Sequence, residues 1–360
     1  MEKVFIVLET GQVFAGRPFG ARVGAVGELV FTTGMTGYVE TLTDPGYCGQ
    51  IVLQTFPLIG NYGIIPEDFE SSAPALSAYV VREYCEQPSN FRNQMTLDEF
   101  LKQNNIPGVY GVDTRSLTRV IRENGTMNAV ITDEAGIESA AARMREHKPQ
   151  NAVQSVTCKQ PVHIEREDAK FKVAVWDFGC RQSLTEKLLA RGCSVVRVPA
   201  HYTAQQIKAL NAYGLMLSGG PGDPSANSDI IAELKRLTGH LPIFGIDLGH
   251  QLLALAHGAR THKLKYGHRG ANQPVRDTQT GRIYTTAQSH GYAVAADTLP
   301  GGTAFESFVN VNDGTCEGVQ YLNSPTLSVQ FFPDEGGGPH STEFLFDKFL
   351  SVMEEFKVCR

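Results

Sequence analysis

Residues 242–256 read Pro242-Ile-Phe-Gly-Ile-Asp-Leu-Gly-His-Gln-Leu-Leu-Ala-Leu-Ala256. The apolar run from Pro242 to Ile246 has the length of a buried strand, and Leu248 to Ala256 has the period of a helix. Between them Gly245-Ile246-Asp247-Leu248-Gly249 leaves room only for a sharp turn. That is the spacing of a nucleophile elbow, in which the tip residue projects over a helix N-terminus. There, backbone N–H groups can hold a developing oxyanion. The same spacing also fits an ordinary strand–turn–helix junction with an aspartate N-cap, which would contribute roughly 0.5–2 kcal/mol.

Upstream of the elbow the pattern alternates. Strand runs at Lys172–Trp176, Ser194–Val198 and Gly214–Leu217 are separated by amphipathic segments at Leu184–Arg191, Ala204–Leu210 and Ile230–Leu237. Short turns join them. Alternation of this kind predicts a doubly wound, flavodoxin-like α/β domain with parallel strands over residues 171–360. In such folds the site lies beyond the carboxyl ends of the strands.

The first 136 residues differ. They are rich in Gly and Thr, with strand runs at Val4–Leu8, Glu28–Thr32, Gln50–Thr55 and Ala78–Glu83. A helix is expected over Thr96–Asn104, with Thr96 as its cap and Asp98-Glu99 in its first turn. Another is expected over Asp113–Asn124, stopped by Gly125. A β-rich N-terminal domain follows from this. Residues 137–170 read as a connector, with charge and proline gathering through Lys148-Pro149, Pro161 and Glu165–Lys170.

Composition narrows the function classes. The net charge of −6 argues against nucleic acid or an anionic membrane as partner. No window reaches the apolar length of a membrane span. Seven scattered cysteines with no CxxC point to reduced thiols and a cytoplasmic protein.

Specific motifs carry a family resemblance over essentially the whole chain. Phe244–Ala256 is similar to the nucleophile segment of class I glutamine amidotransferases. So are Asp177-Phe-Gly179, Leu217-Ser-Gly-Gly-Pro-Gly-Asp-Pro224, Gly267-His268 and His290-Gly-Tyr-Ala-Val294. Met35-Thr-Gly-Tyr38, Leu42-Thr-Asp-Pro45, Pro57-Leu-Ile-Gly-Asn61, Glu70-Ser-Ser72, Pro88-Ser-Asn-Phe-Arg92 and Gly111-Val-Asp-Thr-Arg115 resemble, more narrowly, the small subunit of carbamoyl-phosphate synthetase. That family feeds pyrimidine and arginine biosynthesis. The resemblance implies an elbow cysteine that attacks glutamine and a histidine, oriented by a glutamate, that protonates departing ammonia. Ammonia would pass to a large subunit that uses ATP and metal, so no cofactor and no metal is expected in this chain. The resemblance also implies a glutamine pocket at Gly46, Gly220, Gly222, Leu248, Gln251, Ser289, Gly291 and Tyr292, with the Gly219–Gly222 turn near the oxyanion.

Five positions depart from that pattern. Asp247 stands for the cysteine, Phe332 and Asp334 for the histidine and glutamate, Gly46 for a serine and Ser289 for an asparagine. A carboxylate is a poor nucleophile toward an amide, and its charge opposes an oxyanion. A phenyl ring moves no proton. Three functions are therefore open: a non-hydrolysing small subunit, a regulatory protein that binds glutamine or a similar small ligand, and a hydrolase with altered chemistry at Asp247. His250, three residues after Asp247, shares its helix face; with His268 and His290 it is expected to be structural, and His257 and His262 belong to the same domain. A metal site of Asp247, His250 and a second histidine is the weaker alternative, because no ligand pair has the usual spacing.

Overall fold

The computed structural model describes residues 3–147, 151–334 and 342–358. The chain divides into two compact units, Met1–Ala152 and Val153–Arg360.

In the first unit the strands are β1 (Val4–Leu8), β2 (Val13–Gly20), β3 (Ala25–Thr32), β4 (Gln50–Gln54), β5 (Leu58–Ile59), β6 (Ala78–Val80), β7 (Glu83–Tyr84), β8 (Pro107–Tyr110) and β9 (Met127–Thr132). Seven of them close a barrel in the order β1-β2-β8-β6-β4-β3-β9, while β5 and β7 pair separately. Ile6, Leu29, Ile51, Leu53, Val109 and Ile131 are buried in one cluster, each side chain contributing about 1.5–3 kcal/mol of burial. Four helices accompany the barrel: α1 (Tyr38–Thr43), α2 (Leu97–Gln103), α3 (Thr114–Asn124) and α4 (Ala140–Glu146). Thr96 and Glu99 form a reciprocal capping box at the start of α2. Asp113 accepts from the Ser116 N–H at the start of α3, and Gly125, with φ 94°, ends it.

At the division lies α5 (Ala152–Val156). The second unit has β10 (Val162–Ile164), β11 (Phe171–Asp177), β12 (Cys193–Pro199), β13 (Gly214–Leu217), β14 (Ile243–Ile246), β15 (Arg260–Asp277), β16 (Ile283–Ala295), β17 (Ala304–Asn310), β18 (Cys316–Tyr321) and β19 (Thr326–Val329). They form one sheet in the order β10-β12-β11-β13-β14-β19-β18-β16-β15-β17. The five strands β12-β11-β13-β14-β19 are parallel. Its helices are α6 (Gln182–Ala190), α7 (Ala204–Ala209), α8 (Ser228–Lys235), α9 (Leu248–Ala256) and α10 (Phe344–Val358).

Alternation along the strands sorts the helices onto two faces. Ala174, Trp176, Leu215 and Leu217 pack with residues of α7, α8 and α9. Val173, Val175, Met216 and Phe244 pack with residues of α6 and α10. This is a doubly wound, flavodoxin-like α/β domain, preceded by a β-rich unit.

The structure differs from the sequence expectation in three places. The stretch 137–170 is divided between the units: α4 packs Ala140 and Met144 against Val7 and Val130, whereas β10 joins β12 as an antiparallel edge. Lys148-Pro149 lies outside the described residues. The expected strand Ala78–Glu83 ends at Val80, and Glu83–Tyr84 pairs elsewhere. The antiparallel half of the sheet, β15 to β18, and helix α10 have no counterpart in the sequence analysis. Among the described residues no helix is long and apolar enough to cross a membrane.

Candidate functional site

Strands β13, β14 and β19 are neighbours, so their carboxyl-terminal loops converge. The elbow stands at the centre. Asp247 has φ 51° and ψ −111°, a strained conformation for a residue with a Cβ, costing on the order of 1–3 kcal/mol. The surrounding backbone fixes it. The Asp247 N–H donates to the Val329 carbonyl at 2.9 Å, Gly249 N–H to the Ser218 carbonyl at 3.1 Å, and Gln251 N–H to the Asp247 carbonyl at 3.1 Å. Both elbow glycines are sterically required. A Cβ at Gly249 would stand 2.6 Å from the Leu217 carbonyl oxygen, and one at Gly245 would stand 2.6 Å from Leu253 Cδ1.

The Gly219–Gly222 turn presses onto this elbow. A Cβ at Gly220 would meet the Phe178 oxygen at 2.3 Å, and Gly222 has φ 92°. A Cβ at Gly219 would lie 3.0 Å from Asp247 Oδ2 and 3.1 Å from Phe332 Cε1. Asp247 and Phe332, 85 positions apart in sequence, therefore meet beside one glycine.

The Asp247 carboxylate is buried, with 2% of its surface exposed. Oδ2 accepts from the Gly220 N–H at 3.3 Å, and Oδ1 accepts from Gln330 Nε2 at 2.9 Å. It makes no capping hydrogen bond to α9. The expectation of an aspartate N-cap is thus corrected: the positive φ turns the side chain from the helix end toward the neighbouring loops. Gln330 is itself held. Gln251 Nε2 donates to Gln330 Oε1 at 3.0 Å and to the Tyr292 carbonyl at 2.9 Å.

Phe332 is buried, and its N–H donates to the Ala287 carbonyl at 2.9 Å. The guanidinium of Arg181, also buried, lies 4.4 Å from the ring centroid, a cation–π contact. Asp334 Oδ2 accepts from Ser183 Oγ at 2.5 Å. Arg181 and Ser183 were absent from the sequence-derived site. Their only signal is position, just after β11 and its Asp177-Phe-Gly179 turn.

The remaining predicted residues fall in three environments. Leu248 is core on the α9 face. Ser289, Gly291 and Tyr292 lie on β16; Ser289 is paired in register with Arg269, and the Ser289 Oγ is buried with no partner among the described residues. Gly46 belongs to the first unit, in a short turn where its N–H donates to Asp44 Oδ1 at 2.8 Å.

His250, His268 and His290 are interior, whereas His262 is exposed. His250 Nδ1 pairs with Ser328 Oγ at 2.8 Å, and burial lowers its pKa to about 3. His290 pairs with the Tyr292 carbonyl and Gln288 Oε1. Burial, then the nearby His268, holds it well below its ordinary value. His268 contacts Glu317 at 3.2 Å and Asp313 at 2.8 Å. Burial opposes its charge, but the two carboxylates outweigh burial and raise its pKa. Among the described residues, His268, His290 and Glu317 are the group whose ligand atoms lie close enough to hold a metal, within 4.8 Å of one another. Each of those imidazole nitrogens already has a protein partner.

Two family models cover most of the chain. Residues 174–352 match the class-I glutamine amidotransferase model, which defines the class of the second unit. Residues 6–131 match the carbamoyl-phosphate synthase small chain, CPSase domain. Relatives named carbamoyl phosphate synthase small chain align end to end. One from Syntrophotalea carbinolica is 44% identical, covering 98% of each chain. One from Oceanobacillus iheyensis is 46% identical, covering 99% of this chain and 98% of its own. One from Archaeoglobus fulgidus is 44% identical, covering 99% of this chain and 100% of its own. The chain belongs to the carbamoyl phosphate synthase small chain family.

Proposed function

We propose that this chain is a small subunit that no longer hydrolyses glutamine and that serves a carbamoyl-phosphate synthetase large subunit running on free ammonia. In this reading Asp247, Phe332 and Asp334 occupy the positions of the cysteine, histidine and glutamate. ATP and metal belong to the large subunit. The observation that carries the reading is Phe332, a buried phenyl ring beside Gly219 and the elbow carboxylate, under the Arg181 guanidinium. Without a proton donor there, ammonia would have to leave as an amide anion, which is prohibitively slow. The carboxylate at the elbow supports the same conclusion, because attack would require a mixed anhydride and its charge opposes the oxyanion.

The test is glutamate release from glutamine by the purified chain, alone and with a carbamoyl-phosphate synthetase large subunit. The expected result is no release above an Asp247→Ala control, together with complex formation and ammonia-dependent synthesis. Release that depends on Asp247 sinks the proposal.

A further inference from the structure

Donors from two separate loops hold the Asp247 carboxylate. Gly220 N–H, after β13, meets Oδ2 at 3.3 Å. Gln330 Nε2, after β19, meets Oδ1 at 2.9 Å. The orientation of the Gln330 amide follows from its neighbours. Its Oε1 accepts from Gln251 Nε2, which also donates to the Tyr292 carbonyl, so Nε2 is the end that faces the elbow. Gln330 and Gln251 are both buried. The donors are therefore fixed before any acceptor arrives, as in a built anion site. The Arg181 guanidinium over Phe332 adds positive potential nearby. Walls are close: a Cβ at Gly219 would come within 3.0 Å of Oδ2 and 3.1 Å of the Phe332 ring.

We propose that Asp247 is this site's own ligand: its side chain fills, from within the chain, an acceptor subsite for a small carboxylate or carboxamide, and removing that side chain reopens the subsite. The inference rests on the non-hydrolysing reading and extends it to ligand binding. Wild-type chain excludes glutamine from this subsite because the chain already supplies the acceptor. A vacated subsite takes away the acceptor that the part-buried Gly220 N–H and the buried Gln330 Nε2 now share, and any fitting acceptor restores it.

The test uses the full chain and formate as probe. Asp247→Gly suits the geometry, since glycine tolerates φ 51° and leaves a carboxylate-sized space. Asp247→Asn keeps an acceptor in place. Melting is followed by Trp176 fluorescence with sodium formate or sodium chloride at matched ionic strength, then with glutamine. Formate should raise the melting temperature of Asp247→Gly saturably, binding at least about ten-fold tighter than to wild type or Asp247→Asn, a difference of about 1.4 kcal/mol. If Asp247→Gly does not fold, Asp247→Ala carries the same expectation. A flat response from the variant overturns the proposal, and so does an equal shift in wild type. Wild-type chain that bound glutamine tightly without hydrolysing it would also overturn the self-occupied site while leaving the non-hydrolysing function intact. Glutamate release by wild type would instead remove that function, and the formate titration would still decide the occupancy.

Discussion

His250 offers a quantitative test of how the interior of the second unit is built. It is fully buried on α9, its Nδ1 meets Ser328 Oγ, and its Nε2 has no partner among the described residues. Burial lowers its pKa from 6.5 to about 3. The unfolded chain therefore takes up the proton first as pH falls. Stability from keeping this ring neutral is intact above pH 6.5 and is lost as pH falls from there toward 3. The loss grows by about 1.4 kcal/mol per pH unit in that window, reaching about 2 kcal/mol at pH 5. His250→Asn removes the titration and keeps a hydrogen-bonding group for Ser328. Urea unfolding at pH 8 and pH 5 isolates the effect, and Trp176, the chain's single tryptophan, is buried in the second unit and reports on it. Wild type should lose about 2 kcal/mol more than the variant between the two pH values. His290 is present in both proteins and is depressed first by burial and then by His268, with His250 the last-ranked cause, so it largely cancels. Equal losses in both would refute the reasoning, because they would mean His250 does not remain neutral in the folded unit.

Two further outcomes test the site and its frame. Asp247→Cys alone should show no glutamine hydrolysis above background, whereas the triple change with Phe332→His and Asp334→Glu should exceed it by roughly a thousand-fold or more; glutamate release is the assay, and activity in the single variant would contradict the role given to Phe332. Gly249→Ala should destabilise the second unit by at least about 2 kcal/mol, read from urea unfolding, since its Cβ would meet Leu217 at 2.6 Å.

Much of the fold was legible because local signals agreed. The helix α2 carries its capping box in Thr96 and Glu99, and α3 carries Asp113 and Gly125 at its ends. The parallel strands are buried on both faces and read as continuous apolar runs. The antiparallel half was not legible. Strand β15 mixes exposed Arg260, Lys263 and Lys265 with buried Gly267 and His268, and its pairing with β16 shifts register between Lys263 and His268 and again between Gly270 and Gln273. Such irregularities erase the two-residue period on which a strand reading depends.

For the candidate site, sequence singles out positions but not the direction of their side chains. Asp247 reads as a helix cap because its type and position suit one. The backbone decides otherwise, and φ 51° sends the carboxylate to Gly220 and Gln330. Arg181 and Ser183 were missed for a related reason. Their contacts with Phe332 and Asp334 span about 150 positions and follow only from the adjacency of α6 to the loop after β19. The strained elbow itself does not depend on a reactive tip. Its shape is enforced by Gly245, Gly249 and the Ser218 and Val329 carbonyls, none of which involves the side chain at 247. A turn over-determined by its neighbours can exchange its tip residue while the backbone stays put. The backbone shape at this position is thus separable from the side chain that it carries, because the contacts that hold the elbow come from the carboxyl ends of β13 and β19 and from the two glycines.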